Sequence, residues 1–243
     1  MSTSLSLLAE LIRSRQPTVV LTGAGISTES GIPDFRSPTG LWAEVDPMEY
    51  ASLRAFRDDP EKVWSFYAER VDMLTGAEPN EGHRAIAELE RMGLVRAVVT
   101  QNIDLLHSRA GSQEVVEVHG SIRTASCLEC GKVYPLDESL LPLPRCECGA
   151  VLKPDVVFFG ELLPPAAIDR AYELARSAAL MLVVGSALEV YPVAELPEET
   201  LRSGGSLAIV NRGATALDAK AELKIDGSAG ETLSAVLAEV GDA

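Results

Sequence analysis

Six short apolar runs constrain this chain more than any other feature: residues 18–21, 96–100, 115–118, 179–184, 207–210 and 221–225. Each has the length of a buried strand, and most are separated by stretches whose apolar residues recur at helical spacing. Helices are expected over residues 4–15, 50–74, 81–92, 103–109, 165–177, 193–202 and 229–240, with Pro60 starting one turn and Asn80 capping another. Strands that alternate with helices imply right-handed crossovers and a parallel sheet covered on both faces. Residues 35–77 and 121–152 break the alternation and are assigned to a smaller inserted domain, leaving 1–34, 78–120 and 153–243 for the main one. With 243 residues, 47% of them hydrophobic, the chain has ample material for such a core.

The first apolar run leads into Leu21-Thr22-Gly23-Ala24-Gly25-Ile26-Ser27-Thr28. Glycines there let the main chain turn sharply and approach a ligand, and Ser27 and Thr28 are expected to cap a helix whose N-terminal N–H groups favour phosphate. A dinucleotide fingerprint would place a third glycine at position 28 and a ribose-gripping acid about 20 residues on. The chain has Thr28 instead, and Glu44 and Asp46 read as loop carboxylates. Residues 37–47 read as a long loop anchored by Trp42.

All four cysteines, Cys127, Cys130, Cys146 and Cys148, fall in one short segment. That clustering suits one structural Zn²⁺ held by four thiolates better than a disulfide framework. Gly131 and Gly149 follow the two pairs and supply tight turns, although the second pair is spaced C-x-C.

No apolar run approaches the roughly 20 residues needed to span a bilayer, and the N-terminus reads as an amphipathic helix, not a signal peptide. A cytoplasmic protein without membrane association is expected. The net charge of −15, from 36 acidic and 21 basic residues, argues against nucleic-acid binding. The excess carboxylates are read as solubilising surface more than as an attractor of lysine-bearing partners.

Three strand ends present polar groups to one crevice: the Gly23 loop, Gln101-Asn102-Ile103-Asp104, and His119. Gln101, Asn102 and Asp104 suit either the capping of the next helix, expected of Asn102, or the binding of ribose hydroxyls and a carboxamide. His83 and His107 lie on helices and read as core or surface residues. His119 precedes a glycine at a strand end and suits a general base. Residues 158–161 and 188–191 read as two exposed strand-like edges able to sandwich an extended peptide.

Taken in order, Gly23-Ala24-Gly25-Ile26-Ser27, Gly31-Ile32-Pro33-Asp34-Phe35-Arg36, Thr100-Gln101-Asn102-Ile103-Asp104, His119-Gly120, the four cysteines, Phe159-Gly160-Glu161, Gly185-Ser186 and Asn211 resemble a sirtuin of bacterial type, an NAD-dependent protein lysine deacylase. The resemblance spans nearly the whole chain. It implies a Rossmann-like α/β domain with a small inserted domain made of a helical segment and a zinc ribbon. It also implies NAD as co-substrate, a structural zinc, and acyl-lysine proteins bound in extended form by a monomer. His119 would be the base, with Asn102 and Asp104 also catalytic. Gly23, Ala24, Gly25, Ser27, Asp34, Phe35, Arg36, Gln101, Asn102, Ile103, Asp104, Gly185, Ser186, Asn211, Gly227, Ser228 and Ala229 would hold NAD. Val157, Phe159, Gly160, Glu161, Val190 and Tyr191 would line the peptide. Tyr67 and Arg70 match the pair that receives the acyl carboxylate in desuccinylating and demalonylating sirtuins, whereas residues 37–42 look more like ordinary deacetylases. An ADP-ribosyltransferase and a non-catalytic sensor of NAD or ADP-ribose are the rival readings.

Overall fold

The computed structural model describes residues 2–35, 37, 40–137 and 142–241, with Ser2 and Glu44 described by backbone alone. Arg36, expected to touch NAD, lies outside the described residues.

Helix α1 (Ser2–Ser14) leads into strand β1 (Thr18–Thr22) and a 3-10 helix, Ala24–Ser30. Four helices follow: α2 (Leu41–Glu44), α3 (Pro47–Tyr50), α4 (Leu53–Asp58) and α5 (Pro60–Gly76). The expected loop at 37–47 therefore contains a helical turn, and Asp46 caps α3 by accepting the Met48 N–H. Asp59 caps α5 with Pro60 in its first turn. Next come α6 (Glu81–Arg91), β2 (Ala97–Thr100), α7 (Leu106–Ala110) and β3 (Val115–Glu117).

An antiparallel sheet is then made from β4 (Gly120–Cys127), β5 (Val133–Pro135) and β6 (Leu152–Val156), ordered β5-β4-β6. It runs past residue 152, where the cysteine module was expected to end, because β6 pairs with β4 as far as Val156. The chain closes with α8 (Pro165–Ser177), β7 (Leu180–Val184), α9 (Leu196–Arg202), β8 (Ser206–Val210), β9 (Leu223–Ile225) and α10 (Ala229–Gly241).

The main sheet is parallel, in the order β3-β2-β1-β7-β8-β9. Period-two alternation divides its side chains between two cores. Val20, Val98 and Leu182 pack with Leu8, Ile86 and Leu233 of α1, α6 and α10, while Val19, Val99 and Val183 pack with Leu174 and Leu196 of α8 and α9. Helices on both faces leave every β1 and β7 residue buried. A third core joins Val63, Trp64, Tyr67 and Val71 of α5 to Ile122, Leu152 and Phe158, and the buried Trp64 indole donates to Leu152 O at 2.7 Å. The order in which strands are added reverses between β1 and β7: they run outward from β1 to β3 on one side and from β7 to β9 on the other. In such sheets, ligands bind beyond the carboxyl ends of the strands at this switch point.

Candidate active site

At the switch point the backbones after β1 and β7 touch. Gly25 N–H donates to Gly185 O at 2.9 Å. A Cβ on Gly25 would lie 2.8 Å from Gly185 Cα, and one on Gly185, whose φ is 63°, would lie 2.2 Å from Ile26 N. Only glycine fits both positions. Ser27 and Thr28 do not cap a helix as expected: Gly23 stands at the N-cap without a side-chain bond, and both residues lie inside the 3-10 helix. Thr28 Oγ1 turns back to Gly25 O at 2.9 Å, while the Ser27 hydroxyl is taken by a partner 77 residues away.

That partner is Asp104. Ser27 Oγ donates to Asp104 Oδ2 at 2.7 Å and accepts from Asn102 Nδ2 at 3.1 Å. Asn102 Nδ2 also reaches Gly23 O at 3.2 Å, so Asn102 ties the β2 turn to the glycine loop and does not cap α7. Leu105, at φ 65°, stands at that N-cap, and Asp104 Oδ1 accepts the Leu106 N–H at 3.0 Å. Burial raises the Asp104 pKa, opposed by these donors. Gln101 Nε2 donates to Ser186 Oγ at 3.0 Å, which closes the crevice floor between β2 and β7.

His119 sits in the link between β3 and β4, where Gly120 is required because a Cβ would lie 2.0 Å from Asp155 O. His119 Nδ1 is 3.0 Å from Gln101 O. A carbonyl can only accept, so Nδ1 carries the proton and Nε2 is the basic nitrogen. Burial lowers the His119 pKa, opposed by that bond, so the neutral ring prevails at pH 7.

Two buried histidines stand behind the crevice. His83 Nδ1 accepts the Asn80 N–H at 3.3 Å and completes a capping box, which leaves Nε2 to face Ser27 Oγ at 3.5 Å. His107 Nε2 lies 3.0 Å from Thr22 Oγ1, which donates to Thr100 Oγ1 at 2.8 Å, and Thr100 accepts the Asn102 N–H. The two rings meet edge to face, 4.8 Å between centroids and 63° between planes, and both are core, one of the two places expected of them. Their support of Ser27 and Asn102 was missed, because each partner is distant in sequence.

Beside the crevice, Trp42 stacks on Phe35 at 5.3 Å and contacts Phe66 and Phe159 at 6.2 and 6.4 Å. Asp34 Oδ1 accepts the Ser37 N–H and shapes the turn after Phe35. Beyond β8, Asn211 Nδ2 donates to Arg212 O and Gly213 O, so this amide organises its own loop. Ser228 Oγ accepts the Glu231 N–H at the start of α10. Glu29, which the sequence reading passed over, accepts the Gly230 N–H at 3.0 Å and fastens the 3-10 helix to α10. The signal was a glycine opening a helix: a Cβ there would lie 2.4 Å from the Glu29 carboxylate.

The expected peptide edges are not strands. Phe159 uses both main-chain groups on residues 51–53, and residues 188–191 are irregular, with Leu188 at φ 59°. Phe159, Leu162 and Tyr191 are nonetheless exposed. The Glu161 carboxylate is directed inward, to Phe158 N and Lys153. Tyr67 and Arg70 share one side of α5. Tyr67 packs on Phe158, and burial raises its pKa. The Arg70 guanidinium lies 3.4 Å from the Phe66 ring centroid and donates to Phe66 O, and among the described residues it pairs with neither Glu69 nor Asp72.

The four sulfurs lie within 4.8 Å of one another. Cys127 Sγ is 3.5 Å from Cys148 Sγ, and Cys130 Sγ is 3.4 Å from Cys146 Sγ, too far for disulfides and close to the roughly 3.8 Å of a tetrahedral Zn–thiolate site. Gly131 N–H bonds Cys127 O and Gly149 N–H bonds Cys146 O, at φ 73° and 92°, so the C-x-C pair builds a turn like its partner's. These residues fit zinc, and four thiolates leave no open coordination position for catalysis.

A family model described as "Sir2 family" matches residues 23–192. The chain is 48% identical over 235 residues to NAD-dependent protein deacylase 2 of Pyrobaculum aerophilum, covering 96% of this chain and 94% of that protein. Among solved structures it resembles a Sir2 variant with deacetylated p53 peptide and 3'-O-acetyl ADP ribose, with TM-score 0.93, 42% identity, and 98% and 99% coverage of the two chains. It also resembles a complex of Sir2, p53 peptide and NAD+, with TM-score 0.90, 42% identity, and 98% coverage of each chain.

Proposed function

The chain belongs to the Sir2 family, and from that premise we infer that it is an NAD-dependent protein lysine deacylase that yields free lysine, nicotinamide and O-acyl-ADP-ribose. The observation that carries this reading is the meeting, at the β1/β7 switch point, of the Gly23–Gly25 backbone, the Asn102–Ser27–Asp104 cluster and a neutral His119 with a basic Nε2.

NAD is a co-substrate. The Gly23-Ala24-Gly25 loop, with Asp34, Phe35 and Arg36, serves its ribose and pyrophosphate, and Gly185, Ser186, Asn211 and Gly227-Ser228-Ala229 serve the adenosine side. Ser27, Gln101, Asn102, Ile103 and Asp104 face the nicotinamide ribose. The acyl-lysine carbonyl oxygen, a weak nucleophile, attacks the ribose carbon as nicotinamide leaves, so the two reactants must be held in line and away from water. His119 Nε2 then takes a proton from a ribose hydroxyl, and the alkoxide attacks the resulting imidate carbon. Hydrolysis of that adduct frees the lysine.

The peptide lies between Val157, Phe159, Gly160 and Glu161 on one side and Val190 and Tyr191 on the other. Phe159 and Tyr191 contribute exposed side chains, and Glu161 contributes main chain. Acetyl-lysine is the acyl group taken, with succinyl-lysine admitted through Tyr67 and Arg70. Cys127, Cys130, Cys146 and Cys148 would hold zinc, which would brace the small sheet. Residues 1–34, 78–120 and 153–243 form the NAD-binding domain and 35–77 with 121–152 the smaller one, β6 crossing the boundary. The protein works as a cytoplasmic monomer, without nucleic acid or membrane; among the described residues no helix is long and apolar enough to cross a membrane.

Mass spectrometry of the products after incubation with NAD and an acetyl-lysine peptide tests the reading. O-acetyl-ADP-ribose beside unmodified peptide is expected. An ADP-ribosylated protein would mark a transferase, and NAD bound but unchanged would mark a sensor.

A further inference from the structure

Lys153 is a lysine at 6% exposure, the second residue of β6. Its ammonium has three hydrogens and three oxygens in reach: Pro154 O at 3.0 Å, Val156 O at 2.8 Å and Glu161 Oε2 at 2.9 Å. It also lies 4.2 Å from the Phe158 ring centroid. Every donor is satisfied, which is what allows a cation to remain buried. Glu161 Oε2 accepts the Phe158 N–H at 2.8 Å as well, and Glu161 N–H returns to Phe158 O at 3.0 Å across Gly160 at φ 86°. The turn is therefore braced twice, once by main chain and once by a carboxylate held from below by Lys153. Outside the brace stand Phe159, 39% exposed, and Leu162, 91% exposed.

We propose that Lys153 is a positioning residue for the acyl-peptide: through Glu161 it sets the turn whose outer surface receives the substrate. It touches neither substrate nor NAD. Pro154 O and Val156 O belong to its own strand, so the contact with Glu161 is the one by which the ammonium reaches the turn. The proposal rests on the reading above that residues 157–161 form one wall of the peptide site.

Steady-state kinetics with an acetyl-lysine peptide, varying peptide and NAD separately, tests it on the zinc-loaded full chain. Lys153→Met should raise the peptide KM about tenfold and change the NAD KM by less than about twofold, and Lys153→Arg should recover most of the loss. An unchanged peptide KM in folded Lys153→Met, or equal rises in both KM values, would overturn it. Should Lys153→Met not fold, Glu161→Gln keeps the shape and drops the charge. A rise of about threefold in peptide KM alone is then expected, and no rise overturns the proposal. Phe159→Ala separates the two ideas, because an unchanged peptide KM there would refute the wall itself and not the brace.

Discussion

Acidification should unfold this protein partly through the two histidines behind the crevice. Burial pushes the His83 pKa down to about 4 and holds that of His107 well below its ordinary 6.5, with the charge of His83 also lowering His107. The geometry gives the reason. His83 Nδ1 accepts the Asn80 N–H, so a proton there abolishes half of the capping box. His107 Nδ1 is buried without a hydrogen-bond partner, so a proton there would lack an acceptor. Both groups bind protons more readily unfolded, and the stability they confer is present above pH 6.5 and lost as pH falls. A histidine that titrates at 6.5 unfolded and about 4 folded costs about 2 kcal/mol of stability between pH 7 and pH 5. Asp104, raised by burial, works in the opposite sense as pH falls. Comparison with His83→Gln isolates the imidazole, since Asp104 and the cysteines titrate in both proteins. Urea unfolding followed by tryptophan fluorescence at pH 7, 6 and 5 should show the variant less stable at pH 7 but losing about 2 kcal/mol less on acidification. Equal losses in the two proteins would refute the assignment of His83 as a buried neutral acceptor.

Three further outcomes are expected. Activity should fall on the acid side through an apparent pKa below 6.5, because His119 must be neutral to act, and His119→Ala should lose 10²-fold or more, by order of magnitude, in deacylation; a flat acid limb or retained turnover contradicts its role. The protein should carry one zinc per chain by elemental analysis, Cys148→Ser should carry none and melt at lower temperature, and a zinc-free wild type of unchanged stability would remove the metal. Arg70→Met should reduce turnover of a succinyl peptide about tenfold or more while sparing the acetyl peptide, and unchanged desuccinylation would leave Arg70 with the Phe66 ring and carbonyl as its whole role.

Local signals carried much of this structure. The six apolar runs became the six parallel strands, the central ones buried on both faces and so without alternation of polarity, and Pro60 and Asn80 marked helix starts, Pro60 by its fixed φ and Asn80 through bonds made within three residues. Cysteine spacing placed the metal module for the same reason, since a knuckle is a local turn. What stayed hidden depends on partners far along the chain. Ser27 read as a cap until Asp104 claimed its hydroxyl, and Asn102 read as a cap until Gly23 O and Ser27 claimed its amide. Phe159 read as a free edge until residues 51–53 took both of its main-chain groups. Lys153 drew no reading from the sequence, and only the three oxygens gathered round it make its burial intelligible.

The central claim is that NAD is consumed only when an acyl-lysine can attack it within the crevice between β1 and β7. Nicotinamide release, measured with and without an acetyl-lysine peptide, tests this most directly. The account predicts one nicotinamide freed for each lysine deacylated and essentially none without the acyl-peptide, and equal release in its absence would contradict it.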